Sequence, residues 1–350
     1  MTRIAAVSAL LPEYCYTQRE ITELFAEVCL GPKGKHDVLR RLHSSASVTT
    51  RHLALPLQRY GELTGFTEAN DAFIDAAVEL GARAVQDALD QAELHPRDVD
   101  LIMSTTVTGV AVPSLEARVA GVVGLRPDVK RVPLFGLGCL AGAAGLARMH
   151  DFLRGSPDSV GVLLSVELCS LTLQRDDPSV ANMVASGLFG DGAAAAVVVG
   201  AQRGEPGPEI VDSRSHLYPD SQRAMGWDIG SSGLKVVLGV EVPDLVSMHL
   251  ADDVKGFLAD HELEMDDIST WVAHPGGPKV LQAVQTSLDI PPEALEVTWR
   301  SLAAIGNLSS ASVLHVLKDT LRDCPPAGGA YGLLFAMGPG FCAELVLLRW

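Results

Sequence analysis

Three side chains in this 350-residue chain have the chemistry for acyl transfer, and each sits in a distinctive local context. Cys139 follows Gly138 within RVPLFGLGCLAGAAGLARMH (131–150), between an apolar run and a helix of small residues. A helix start carries partial positive charge and free N–H groups, which favour a thiolate. The flanking glycines let backbone amides approach a reacting carbonyl. His274 stands in WVAHPGGPKVL (271–281), where a strand opens into a glycine turn. Such strand ends display residues to clefts. Asn307 lies in IGNLSSASVLHVL (305–317), after a glycine and ahead of an apolar helix. Singly, each also has a plain structural reading: a thiol packed among Ala and Gly, a core histidine, a helix N-cap.

Together the three handle thioesters without a metal or an organic cofactor. A Cys thiolate accepts an acyl group. An imidazolium beside it keeps it ionised, and His and Asn donors hold an oxyanion. Two chemistries use this set in this order: papain-like proteolysis and decarboxylative carbon–carbon bond formation. The papain-type context near a mature N-terminus is missing, and the thiol lies in the middle of an α/β chain.

The elements that must position these residues follow a repeating α/β order, which implies layered sheets covered by helices. Strands are predicted at 2–10, 98–108, 131–136, 159–172 and 269–277, with two more at the C-terminus, and 181–200 reads as a helix, a Gly-rich turn and a strand. Helices are predicted at 17–30, 67–92, 114–125, 140–154, 243–261, 278–287 and 308–322, with a short one inside the mixed, basic stretch 31–65. Thr17 and Glu20 form a capping-box pattern. A polar, loop-rich stretch at 201–230 divides the chain into a half carrying Cys139 (1–210) and a half carrying His274 and Asn307 (211–350).

Bulk properties bound the partners. Net charge is −16, which argues against nucleic acid, since a phosphate backbone needs a basic face. A small anionic ligand needs only a local patch, offered by Arg40, Arg41 and Arg51. Cysteines 15, 29, 139, 169, 324 and 342 lack CxxC spacing, so neither a metal site nor a disulfide framework is expected. No leader and no membrane span is predicted, so a cytoplasmic enzyme is expected.

GCLAGAAGL, GLFGDGAAAA, AHPGGPKVL, GNLSSASVL and AMGPG resemble, in order and spacing, the type III polyketide synthases of the chalcone synthase superfamily. The resemblance runs from about residue 5 to the C-terminus. It implies a homodimer of the thiolase fold, with duplicated αβαβα halves and mixed central sheets. It also implies acyl-CoA and malonyl-CoA as substrates and no carrier protein, cofactor or metal. By the match, Cys139 is the acylated nucleophile, and His274 and Asn307 stabilise the enolate of decarboxylated malonyl-CoA. Phe189 matches a gating phenylalanine, Arg41 a basic CoA contact and Ser309 a cavity-lining or CoA-contact position. A second basic CoA contact is replaced by Ser45. Val112 aligns with a residue that reaches into the partner's cavity.

Departures concentrate in the cavity. Val236 stands where plant members carry a second gating phenylalanine, and Trp227 where they carry a glycine that sets cavity length. Cys169 and Thr172 fall on cavity-wall positions, while Val107 and Thr108 replace a Thr-Ser pair. These changes, with LHSSASVTTRHLALPLQRY and STTVTGVAVPS, are most like bacterial members making alkylresorcinols and alkylpyrones from aliphatic acyl-CoA starters. Extension with methylmalonyl-CoA stays open. Two alternatives are a ketoacyl synthase III-like enzyme making one condensation on a carrier protein, and a non-catalytic thiolase-fold partner protein.

Overall fold

In a computed structural model of the protein, which describes residues 1–32, 34–175 and 177–350, one mixed sheet carries strands from both halves. The first half opens with β1 (Thr2–Leu10), β2 (Tyr14–Thr17), α1 (Gln18–Phe25), α2 (His36–Ser44), β3 (Thr50–Leu53), α3 (Leu57–Tyr60) and α4 (Phe66–Gln91). It continues through β4 (Val99–Thr105), α5 (Leu115–Val123), β5 (Lys130–Leu134), α6 (Ala141–Arg154), β6 (Val160–Leu168), α7 (Val180–Leu188) and β7 (Asp191–Val199). The second half has β8 (Glu209–Leu217), β9 (Met225–Gly230), β10 (Gly233–Leu238), α8 (Val242–Ala259), β11 (Ile268–Ala273) and α9 (Pro278–Leu288). It ends with α10 (Glu296–Ile305), α11 (Ser312–Asp323), β12 (Tyr331–Gly338) and β13 (Cys342–Arg349).

The sheet order is β11-β12-β13-β8-β1-β7-β6-β4-β5, so the halves join where β1 pairs with β8 at Thr2↔Ile210 and Arg3↔Glu209. β6 and β7 are buried along their whole length. That explains their near-continuous apolar sequence, since both faces are covered by helices. Alternate residues serve opposite faces. Ala193, Ala195 and Val197 pack with Ala77, Val85 and Leu89 of α4, whereas Ala194, Ala196 and Val198 pack with α6 and α11. α6 also packs on Val346 and Leu348 of β13 and α11 on Leu334 of β12, and α8, α9 and α10 cover the outer face of the second-half strands. The result is the layered αβαβα arrangement of the thiolase fold, with α6 and α11 as its central layer.

Local chemistry sets several element ends. Thr17 and Glu20 make the expected capping box, with the Thr17 N–H donating to Glu20 at 2.8 Å. The helix predicted to reach residue 30 ends as an α-helix at Phe25 and continues as a π turn, Ala26–Leu30. β8 lies inside the stretch read as loop. Its polar side chains are engaged, as in the Arg3 and Arg349 pairs to Glu209. The β9–β10 hairpin and α10 were not predicted either. Among the described residues, no helix is long and apolar enough to cross a membrane.

Candidate active site

Cys139 occupies a short 3-10 turn, Gly138–Leu140, directly before α6. Gly138 has φ +54°, and a Cβ there would sit 2.6 Å from Pro339 Cδ. Only glycine lets the chain turn here against the Pro339 loop. Gly142, in the first turn of α6, brings that helix onto the Asn–Ser turn of the second half: its Cβ would lie 2.3 Å from the Ser310 carbonyl oxygen. Cys139 is 7% exposed, and its thiol points at Ser309 Oγ at 3.7 Å. Burial pushes the thiol up to about 12.

His274 follows the last residue of β11, and its backbone N–H donates to the Phe335 carbonyl at 3.0 Å. The ring is buried, and neither Nδ1 nor Nε2 has a hydrogen-bond partner among the described residues. Burial pushes it down to about 3. Asn307 follows Gly306, whose φ is +74° and whose Cβ would meet the Leu188 carbonyl oxygen at 2.7 Å. That closeness lets Asn307 pair through its backbone with the chain leaving α7. Its N–H donates to the Leu188 carbonyl and its carbonyl accepts from Gly190 N–H, both at 2.9 Å. Asn307 Oδ1 accepts the Ser309 N–H at 2.8 Å. This orients the amide, and among the described residues its NH₂ reaches only the Gly276 carbonyl, at 3.5 Å.

Two adjoining cavities meet at Cys139 and Phe189, which line both. The smaller, about 40 Å³, holds His274 and Asn307. The larger, about 330 Å³, is lined by the remaining cavity residues singled out above: Val107, Thr108, Cys169, Thr172, Trp227, Val236 and Ser309. Trp227 and Val236 face each other as a register pair on the β9–β10 hairpin. Residues from seven stretches far apart in sequence are thus gathered by the fold.

Arg41 lines neither cavity. It is exposed on α2, which packs against α7, and forms no ion pair among the described residues. Ser45, the C-cap of α2, is also exposed. The Arg40–Arg41–Arg51 patch does not exist as a unit. Arg40 pairs with Asp37 on the surface, and Arg51 is 2% exposed. Arg51 donates to the Ser186 carbonyl at 2.5 Å, the Phe189 carbonyl at 2.8 Å and Gln18 Oε1 at 2.6 Å. It therefore caps the end of α7 and holds the Phe189 backbone, while burial lowers its pKa to about 10.

The sequence reading missed further wall residues. Ile21, Leu24 and Phe25 of α1 form one side of the large cavity, and Tyr60 and Ser170 form part of another. Only the amphipathic pattern of α1 could have signalled its share. Two buried carboxyl groups stand behind the wall. Glu167 accepts hydrogen bonds from Ser310 Oγ at 2.5 Å, Thr108 Oγ1 at 2.9 Å and the Val107 N–H at 3.1 Å, and burial raises its pKa. Asp191 accepts the Ala54 and Ser170 N–H groups at 2.6 and 2.8 Å and the Ser170 hydroxyl. Burial pushes it up to about 6.

A thiolase fold with Cys, His and Asn converging on one small chamber, and a larger cavity beside the thiol, defines a condensing acyltransferase. Residues 1–203 match the N-terminal domain of chalcone and stilbene synthases, and residues 209–350 match the C-terminal domain. The chain belongs to this family, the type III polyketide synthases. It is 55% identical to a 1,3,6,8-tetrahydroxynaphthalene synthase of Streptomyces peucetius subsp. caesius, across 100% of this chain and 93% of that protein. It is 28% identical to a Mycobacterium tuberculosis polyketide synthase-like protein of alpha-pyrone synthesis, across 99% of this chain and 91% of that one. The crystal structure of the Streptomyces coelicolor A3(2) 1,3,6,8-tetrahydroxynaphthalene synthase superposes with TM-score 0.94 at 32% identity, covering 99% of each chain. The protein is an iterative type III polyketide synthase. This sets aside the single-condensation and non-catalytic alternatives.

Proposed function

We propose that the enzyme condenses malonyl-CoA units into a tethered poly-β-keto chain and closes it to a hydroxylated naphthalene. The observation that carries this reading is the 55% identity, over the whole chain, to a relative named for such a product. The aromatic Trp227 in the wall of the cavity supports it, because it takes space that a bulky starter would need. Cys139 carries the growing chain. His274 takes the thiol proton as the thioester is attacked. Each lone charge is costly to bury, but proton transfer creates opposite charges within one dry chamber, where Coulomb attraction is strong. His274 and the oriented Asn307 amide then donate to the enolate oxygen left by decarboxylation. Arg41 offers a free guanidinium to the CoA phosphates. No metal or organic cofactor is required for these steps. The enzyme acts as a homodimer, in which Val112, 96% exposed, reaches the partner's cavity.

A second reading keeps the aliphatic acyl-CoA starter and pyrone or resorcinol closure, favoured by the apolar side chains Ile21, Leu24, Phe25 and Val107 in the large cavity. One assay separates the two. Incubation with labelled malonyl-CoA alone yields a labelled hydroxynaphthalene on the first reading. Product only when an aliphatic acyl-CoA is added supports the second. A Cys139→Ala variant still releases CO₂ from malonyl-CoA but forms no acyl-enzyme. Chain elongation by that variant would remove Cys139 as the nucleophile.

A further inference from the structure

Behind the cavity wall runs a continuous hydrogen-bonded path that chain extension does not use. Ser170 and Tyr60 line the large cavity, and Asp191 stands behind Ser170 on β7. The Ser170 hydroxyl donates to Asp191 Oδ2, and the Tyr60 hydroxyl lies 2.5 Å from Ser170 Oγ. The direction of the second bond follows from bookkeeping of hydrogens. The one hydrogen of Ser170 is committed to Asp191. The Tyr60 oxygen already accepts the Leu55 N–H at 3.2 Å, so its own hydrogen points to Ser170 Oγ. Ser170 is thus held with its lone pair available to the cavity and its proton aimed at a carboxylate.

Building a carbocyclic ring on a poly-β-keto chain needs a base for a CH₂ between two carbonyls and an acid for the oxygen that forms. Ring closure to a lactone needs no carbon acid to be deprotonated. We propose that Ser170 and Asp191 form a proton relay for carbon–carbon ring closure, with Ser170 as the group that touches the chain and Tyr60 as the positioning residue that holds Ser170 by its hydrogen bond. The proposal rests on the naphthalene reading above. The step is written as follows. Ser170 Oγ takes a proton from the CH₂ as its own proton moves to Asp191 Oδ2, and the C–H electron pair becomes the enolate. The enolate carbon bonds to a carbonyl carbon further along the chain, and the carbonyl π pair moves to its oxygen. Asp191 returns the proton through Ser170 to that alkoxide, so no other reactant is consumed.

The position of Asp191 fits a shuttle. It is wholly buried, it is held by two backbone N–H donors, and burial places its pKa at about 6, close to neutrality. Arg51 lies near enough to lower that value without an ion pair, which keeps the carboxyl from being locked in one state.

The test measures carbocyclic product per CO₂ released from labelled malonyl-CoA, with lactones counted separately. In Ser170→Ala this ratio falls about a hundredfold, the lower range for loss of a general base, and label moves into lactones. Tyr60→Phe shows a smaller fall in the same direction, and Ser170→Thr, which keeps a hydroxyl, recovers most of the ratio. Acylation of Cys139, read by mass spectrometry, reports that each variant is folded. A wild-type ratio in Ser170→Ala overturns the relay while leaving the naphthalene reading standing. A wild-type enzyme that makes only lactones overturns that reading and the relay with it.

Discussion

Gly142→Ala tests how the two halves of the site are held together. Replacing an exposed helical glycine by alanine ordinarily stabilises a protein by about 0.4–1 kcal/mol, through lost freedom in the unfolded chain. Gly121 on α5 is such a position, with nothing within 4 Å of an added Cβ. At Gly142 the added Cβ would stand 2.3 Å from the Ser310 carbonyl oxygen and 2.7 Å from Val313 Cγ1. Ordinary contact begins at 3.4 Å, so α6 and the 309–311 turn must part by roughly 1 Å. Ser310 is fully buried, so its backbone has no free space to yield into. Overpacking of this kind costs about 1–3 kcal/mol. The same movement separates Cys139, at the head of α6, from Asn307, and a displacement of about 1 Å costs on the order of a hundredfold in turnover. Urea unfolding of the two variants at constant m-value reads the first quantity, and product formation from malonyl-CoA reads the second. Gly121→Ala moves the midpoint up and leaves turnover unchanged, whereas Gly142→Ala moves it down and lowers turnover. Equal upward shifts, with wild-type turnover in Gly142→Ala, would refute the tight docking of the halves.

Other outcomes follow from named contacts. Trp227→Gly opens the large cavity beside the hairpin, so longer products or bulkier starters are accepted; an unchanged product profile removes Trp227 as a cavity determinant. Alkylation of Cys139 by iodoacetamide is nearly independent of pH between about 6 and 9 while His274 shares the proton. In His274→Gln the burial that raises the thiol pKa acts unopposed, so the rate climbs about tenfold per pH unit across that window. Parallel profiles for the two proteins would show that His274 does not ionise the thiol. Arg51→Met strands the Ser186 and Phe189 carbonyls and Gln18 Oε1, and it destabilises the protein by about 3 kcal/mol in urea unfolding. A loss below about 1 kcal/mol would mean that other donors recover those acceptors.

What could be read from the sequence divides along physical lines. Continuous apolar runs such as VGVLLSVEL announced strands buried on both faces, and the Thr17 capping box announced a helix start. The positions of Cys139, His274 and Asn307 were legible because each lies at an element end marked by glycine, and those glycines have conformations or close contacts other residues would not tolerate. β8 was hidden because its side chains are largely polar and half-buried, with Glu209 paired to Arg3 and Arg349 and Arg214 to Asp260, so the strand lacks clean alternation. The burial of Arg51 could not be read from a run of basic residues. Its three acceptors come from α1 and from the end of α7, far away in sequence. Tyr60 and Asp191 were equally invisible, since only packing brings α3 and β7 together around Ser170.

The division of the site into two chambers has a chemical consequence. Cys139 belongs to both, whereas His274 and Asn307 line only the small one and Trp227 and Ser170 only the large one. Under the proposed mechanism, a chain attached to Cys139 folds into the large cavity while a malonyl unit loses CO₂ beside His274 and Asn307. Phe189 stands between them, and its backbone is fixed twice, by the pairing of its flanks with Asn307 and by Arg51 from below. A group that separates two chambers must itself stay in place, and a fully buried guanidinium is an expensive way to hold two carbonyls unless their position matters. On this reading, substitutions in the large cavity redirect the product without stopping decarboxylation. Substitutions that loosen Arg51 or Gly306 impair decarboxylation as well, because they displace Asn307 together with Phe189.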